Sequence, residues 1–269
     1  MSRLVLFRAA LVTLLVAVAI LGAPRPGLSR EANAATPTTQ TTAAPSNIVI
    51  GFVGGFVRHD NPNHGPVRLA KQIRRTMPQD TYVQVFENRR RRLAYETILR
   101  QLDTNHDGVL SSEEKSRARI ILFGHSWGAS ASVLLARDLR REGVPVLLTV
   151  QVDSVAKVWQ NDSVIPDNVA EAVNFYQPHG FVHGRTRITA ADPAKTEILG
   201  NYLKDYQKNP IVCTGTSWFD RTFTPDHMYS ECDDHVWSQI GDLVRQRLAS
   251  AGISRNTSAA VSAGVPAQR

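Results

Sequence analysis

The stretch that decides the fold is Ala118-Arg119-Ile120-Ile121-Leu122-Phe123-Gly124-His125-Ser126-Trp127-Gly128-Ala129-Ser130-Ala131-Ser132-Val133-Leu134-Leu135. A short apolar run, Ile120 to Phe123, meets a Gly-x-Ser-x-Gly pentapeptide, and small residues lead on into a helical pattern. The order predicts a buried strand, a sharp turn and a helix, with Ser126 at the tip of the turn. Gly124 and Gly128 suit that turn, because side chains there would collide with the neighbouring strand and helix. Such a turn exposes the Ser126 hydroxyl and sets the Trp127 amide beside it, at the positive start of a helix. This is the pattern of a nucleophile elbow. The bland alternative is a glycine-rich turn whose serine caps the helix.

Working outward, apolar strand-like runs alternate with helical spacing. Asn47 to Phe56, Tyr82 to Phe86, Ile120 to Phe123 and Val144 to Val152 read as strands. Val67 to Met77, Leu93 to Leu102, the stretch through Leu139, and Asp167 to Phe175 read as helices. Phe181 to Ile188 and Ile198 to Tyr202 read as further strands, and Val236 to Leu248 as a final helix. Short apolar strands between amphipathic helices predict an α/β domain over residues 47–250, with a mostly parallel central sheet covered by helices on both faces.

The ends differ from this body. Residues 1–34 pair a basic start (Arg3, Arg8) with the apolar run Ala9 to Ala23 and a small-x-small site at Ala32-Asn33-Ala34. This is the pattern of a cleaved export signal, with an uncleaved N-terminal anchor over residues 4–23 as the alternative. Residues 35–46 and 251–269 hold little to bury and read as a disordered linker and tail. The signal holds four arginines and one glutamate, so its removal lowers the net charge from +7 to +4. Arg89-Arg90-Arg91-Arg92 reads as a solvated helix start with a weak attraction to anionic membrane surfaces. It lacks aromatic interleaving or a motif for nucleic acid.

With the elbow, the strand-helix alternation and the residues after Ser126 in view, the chain resembles the compact esterase and lipase-like branch of the α/β-hydrolase superfamily. In that family a serine nucleophile, an acid and a histidine follow in that chain order. The resemblance implies Ser126 as nucleophile and Asp153, closing the strand Val146 to Val152, as acid. The acid there usually follows the second strand past the elbow, whereas Asp153 follows the first. Asp192 and Asp205 are alternatives. The base lies in the loop before the last helix, which implies His227, with His179, His183 and His235 as the other candidates. Asp233 would cap the last helix. The oxyanion amides would come from Trp127 and, in Val53-Gly54-Gly55-Phe56, from Phe56. Gly54 stands where the family usually has a histidine. No dinucleotide fingerprint fits these glycines, and the chemistry calls for no organic cofactor.

The implied activity is cleavage of a small-molecule or lipid ester through an acyl-enzyme. A thioesterase or acyltransferase on the same triad is the runner-up, and a non-catalytic binding protein on the same scaffold is the alternative of another class. Tyr206, Trp218, Phe219 and Phe223 offer an aromatic wall or lid over the serine, or ordinary core.

A second motif is independent of the first. Asp103-Thr104-Asn105-His106-Asp107-Gly108-Val109-Leu110-Ser111-Ser112-Glu113-Glu114 fits Asp-x-Asn-x-Asp-Gly-x5-Glu and resembles an EF-hand calcium loop. It implies a structural Ca2+ held by Asp103, Asn105, Asp107, the Val109 carbonyl, Ser111 (through water) and a bidentate Glu114. The chain has two cysteines. In an exported protein Cys213 and Cys232 would pair and tie the His227 segment to the domain.

Overall fold

The computed structural model describes residues 47–77, 81–213 and 224–263, with side chains to Ser250. The expected signal, linker and chain terminus, and Trp218, Phe219 and Phe223, lie outside the described residues.

Runs rich in Val, Ile and Phe form the sheet because branched and aromatic side chains pack well on a pleated surface. In chain order the elements are β1 (Asn47–Val53), α1 (Gly65–Thr76), β2 (Thr81–Glu87), α2 (Arg91–Leu102), α3 (Ser112–Ser116), β3 (Arg119–His125) and α4 (Trp127–Arg141). There follow β4 (Val146–Val152), β5 (Val164–Ile165), β6 (Val169–Tyr176), β7 (Thr189–Ala190), β8 (Glu197–Leu203), α5 (Pro225–Cys232) and α6 (Asp234–Ala263). Six strands form one sheet in the order β2-β1-β3-β4-β6-β8, and each neighbouring pair is parallel. Strands β5 and β7 make a separate small pair.

Parallel strands buried on both faces need two covers. One face packs on Ala94, Ile98 and Leu102 of α2 and Leu135 and Leu139 of α4. The other packs on Leu69, Ala70 and Ile73 of α1 and Val236, Trp237, Ile240 and Val244 of α6. The fold is a three-layer α/β sandwich, as the strand-helix alternation predicts. The basic run enters α2 with Arg91 paired to Asp138 and Arg92 to Glu96, both at 2.8 Å.

Three elements differ from expectation. Residues 167–175 form no helix: a turn at 167–168 leads into β6, between β4 and β8. Short apolar runs fit either period, and here sheet neighbours on both sides decide. Asn168 marks the entry, its amide donating to the Ala136 and Val144 carbonyls at 3.0 and 2.9 Å. Residues 181–188 form no strand but a connection folded back against the end of β4. Finally, α6 continues past Ser250 into the stretch expected to be an irregular tail.

The order of strands reverses between β1 and β3, which neighbour each other while β2 lies outside β1. A crevice opens at the carboxyl ends of the strands at such a switch point. Register places specific residues there. Phe52 pairs with Gly124, His125 with Val152, and Val152 with Phe175. Gly54, Ser126 and Asp153 therefore stand together, one step beyond the last paired rows.

Candidate active site

Ser126 leaves β3 with φ 56° and ψ −127°, a left-handed conformation that costs a non-glycine residue on the order of 1–3 kcal/mol. Bonds on both sides impose it. The Ser126 amide donates to the Val152 carbonyl at 3.0 Å, and the Ser126 carbonyl accepts from the Ala129 amide at 3.0 Å. The two motif glycines are forced by contact. A Cβ on Gly124 would lie 2.5 Å from the Gly128 carbonyl, and one on Gly128 would lie 2.3 Å from the Phe52 carbonyl oxygen.

The opposite wall comes from the turn after β1. A Cβ on Gly54 would stand 2.9 Å from the Ser126 Cβ, so a histidine has no room there and glycine is the physical answer. Gly55, at φ 44°, makes the turn possible. The Asn88 amide donates to the Gly55 carbonyl at 2.6 Å, and the Lys157 ammonium donates to Asn88 Oδ1 at 2.8 Å. Fixing that carbonyl fixes the planar Gly55–Phe56 peptide, so the Phe56 amide faces the other way. Lys157 also lies 4.9 Å over the Trp127 ring, which the Phe56 ring meets edge-on at 5.7 Å. Trp127 is the first residue of α4, where a backbone amide has no helical acceptor.

Asp153 is fully buried and sits at φ 44°, a second strained position. Its Oδ2 lies 2.6 Å from His227 Nδ1 and accepts from the Gln177 side-chain amide at 2.9 Å. Its Oδ1 accepts from the Gly184 amide at 2.6 Å. Gly184 must be glycine, since its Cβ would fall 2.5 Å from Asp153 Oδ1. Neither Gln177 nor Gly184 belongs to a sequence motif; register and a folded-back connection put them at the carboxylate. The other candidates stand elsewhere. His183 faces the Gly184 carbonyl at 3.4 Å, His179 pairs with Asp205 at 3.5 Å, His235 is exposed beside Gln239, and Asp192 caps the turn at Ala194.

His227 does not occupy a loop. It lies in the first turn of α5, which Pro225 starts, ahead of α6. Asp233 between the two helices caps α6 as expected, accepting from the His235 and Val236 amides at 3.1 Å each. Burial holds the His227 pKa below its ordinary value; the Asp153 hydrogen bond opposes this and the nearby His125 ring adds to it. With its Nδ1 proton directed to Asp153, Nε2 is the ring nitrogen left to take a proton. Tyr206 is no wall over the serine: it is buried, and its hydroxyl donates to Asp233 at 3.0 Å. Cys213 and Cys232 form a disulfide with Cα atoms 5.4 Å apart, tying the end of α5 to the segment after β8.

The 103–114 loop makes the turns its sequence requires. Gly108 has φ 80°, and Asp103 accepts from the Asp107 and Gly108 amides. Glu114, however, has both carboxylate oxygens engaged within the loop. One oxygen accepts from Thr104 (2.7 Å from its amide) and the other from Ser111 (2.9 Å), which completes a capping box on α3. These bonds pull its pKa down to about 2. Among the described residues no three His, Cys, Asp or Glu side chains stand ready to hold a metal ion. As placed, the loop does not present the complete ligand set that its spelling implies.

No protein-family model and no curated protein matches the chain. Solved structures similar to it include RedJ, a thioesterase from the prodiginine biosynthetic pathway in Streptomyces coelicolor. The likeness has 12% identity and a TM-score of 0.40, covering 74% of this chain and 91% of that one. An acetyl xylan esterase is similar at 11% identity and a TM-score of 0.32, covering 77% of this chain and 98% of that one. At these values the strand order and the geometry at Ser126, Asp153 and His227 carry the argument, and the likeness adds none.

Proposed function

We propose that the protein is an exported serine hydrolase that cleaves carboxylic esters through an acyl-enzyme. The observation that carries this reading is the buried Asp153–His227 hydrogen bond of 2.6 Å, set beside an elbow serine at the switch point of a parallel sheet. Ser126 Oγ gives its proton to His227 Nε2 and attacks the acyl carbon. The Trp127 and Phe56 amides receive the oxyanion, each such donor being worth about 3–4 kcal/mol in the transition state. His227 then protonates the leaving alcohol. Water, deprotonated by His227, attacks the acyl carbon and releases the acid and Ser126. Asp153 keeps the imidazole in the required tautomer.

The test is labelling by a fluorophosphonate probe, with turnover of nitrophenyl esters of graded acyl length and of acyl thioesters. Wild-type protein should label and turn over, and Ser126→Ala should do neither while keeping its melting temperature. Equal turnover by a folded Ser126→Ala protein would remove the hydrolase reading. Labelling with turnover of thioesters alone would favour the thioesterase.

We further propose a structural Ca2+ at residues 103–114. Asp103, Asn105, Asp107, the Val109 carbonyl, Ser111 and Glu114 would hold it, after Glu114 gives up its bonds to Thr104 and Ser111. No catalytic step passes through the ion.

A further inference from the structure

His125, the residue before the nucleophile, is buried among acceptors. Its Nδ1 is ion-paired with Glu231 Oε2, and both side chains are 3% exposed. Its Nε2 lies 3.0 Å from Ser230 Oγ and 3.2 Å from the His227 carbonyl oxygen. The Ser230 hydroxyl is itself committed, donating to that carbonyl at 2.7 Å. A neutral imidazole donates from one nitrogen and accepts at the other. Here neither nitrogen meets a free donor: one faces a carboxylate, the other a carbonyl and a hydroxyl whose proton points elsewhere. While Ser230 donates to the His227 carbonyl, the doubly protonated ring is the form that satisfies both sides.

The counter-ion is equally committed. Glu231 Oε1 accepts from the Gly65 amide at 2.8 Å and lies 3.2 Å from His64 Nδ1. Glu231 follows His227 by four positions on α5, so the base and this carboxylate share a helix face. The His125 and His227 rings are 4.7 Å apart.

We propose that Glu231 holds His125 as a buried imidazolium, and that this cation fixes both the backbone and the charge state of the base His227. The proposal rests on the hydrolase reading for its catalytic consequence, though not for the charge itself. The titratable and charged groups around His227 are His125 from β3, Asp153 after β4, and Asp226 and Glu231 from its own helix. His64 stands ahead of α1, against Glu231, and Tyr206 lies among Asp153, Asp226 and Asp233. Burial alone would drive the His125 ring towards neutrality, but the charge and hydrogen bond of Glu231 outweigh it and raise its pKa. Burial would likewise raise Glu231, yet His125 and then His64 bring it below the ordinary value. Asp153 favours a protonated His227, which is no base. Burial first, and then a cation whose ring lies 4.7 Å away, keep the resting base neutral. Because Glu231 cancels its charge at longer range, the imidazolium formed during turnover is not strongly disfavoured.

The experiment has two readouts on the full chain. In nitrogen-15 spectra of the histidine rings at pH 8, assigned by comparison with His125→Gln, both nitrogens of His125 should carry protons; a neutral tautomer at pH 8 overturns the proposal. In His125→Gln the cation is gone and Glu231 is bared, and both changes favour protonated His227. The acid limb of kcat/KM should therefore move up by about 1 pH unit, a roughly tenfold loss of kcat/KM below it. Glu231→Gln should lower kcat several-fold with little change in KM, because α5 loses its tie to β3. An unmoved acid limb in folded His125→Gln overturns the effect on His227. The His227 titration can also be followed by the same spectra in Ser126→Ala, so failure of the hydrolase reading and failure of this one remain distinguishable.

Discussion

Four non-glycine residues among those described have positive φ, and two of them are Ser126 and Asp153. Strain of this kind persists where the surroundings over-determine it, and it gathers where side chains must be aimed. At the residue scale this makes contact with Ser126 a sharper test than removal of its hydroxyl. Gly54→Ala adds one methyl 2.9 Å from the Ser126 Cβ, on the wall that carries the Phe56 amide. Small misplacements of reacting groups cost up to about 100-fold. The expected outcome is a fall in kcat of that order with a modest change in melting temperature, read from ester kinetics beside a thermal scan. Wild-type kcat in Gly54→Ala would mean that the turn after β1 takes no part in the oxyanion site. A second expectation concerns pH. The His227 pKa is lowered, so its base form survives below the usual histidine value of about 6.5. The acid limb of kcat/KM should lie under that value, and a limb above it would contradict the burial argument.

At the element scale, what was legible in the sequence was whatever depends on neighbours along the chain. The elbow, the α4 helix behind it and the Asp233 cap follow from local stereochemistry, and each stands at its expected place. Strand β6 was not legible, because a run such as Val169–Tyr176 takes its state from β4 and β8 on either side. The same holds for Gln177 and Gly184, which reach Asp153 through register and a returning connection rather than through spacing. His125 was visible inside the pentapeptide, but its partner Glu231 lies on α5, far away in sequence. The loop before α3 makes the converse point: its spelling matches a calcium loop, while Glu114 serves a capping box. Two predictions separate these roles. Ser111→Ala should lose about 1 kcal/mol of stability in calcium-free protein, where the capping box is intact, measured by denaturant titration. Added Ca2+ should raise the melting temperature of wild type with the logarithm of its concentration, and Glu114→Gln should abolish the rise. A wild-type melting temperature indifferent to both Ca2+ and chelator would leave the loop as a capped turn and nothing more.

At the scale of the whole molecule, the sheet supplies rigidity to Ser126 and Asp153, whereas His227 rides on a short helix outside it. An eight-residue helix is marginal alone and must be held by its surroundings. Among the ties that do this are the Asp153 bond at its start, and the His125–Glu231 pair and the Cys213–Cys232 disulfide at its end. Pairing of the cysteines suits an oxidising compartment, which accords with the proposed export. Among the described residues no helix is long and apolar enough to cross a membrane. The disulfide spans a sequence separation of 19, and cross-linking a loop of that size restricts the unfolded chain by about 3 kcal/mol. Reduction should therefore lower the melting temperature, and it should lower activity before global unfolding, because the loosened element carries His227, the proposed base. The measurement is ester turnover and a thermal scan with and without reductant, checked by thiol titration, beside a Cys213→Ser/Cys232→Ser double variant. Reduced protein with two free thiols and unchanged activity and melting temperature would show that the remaining contacts hold α5 without the disulfide. Loss of activity at temperatures where the sheet remains folded would identify α5 as the part of the active site that yields first.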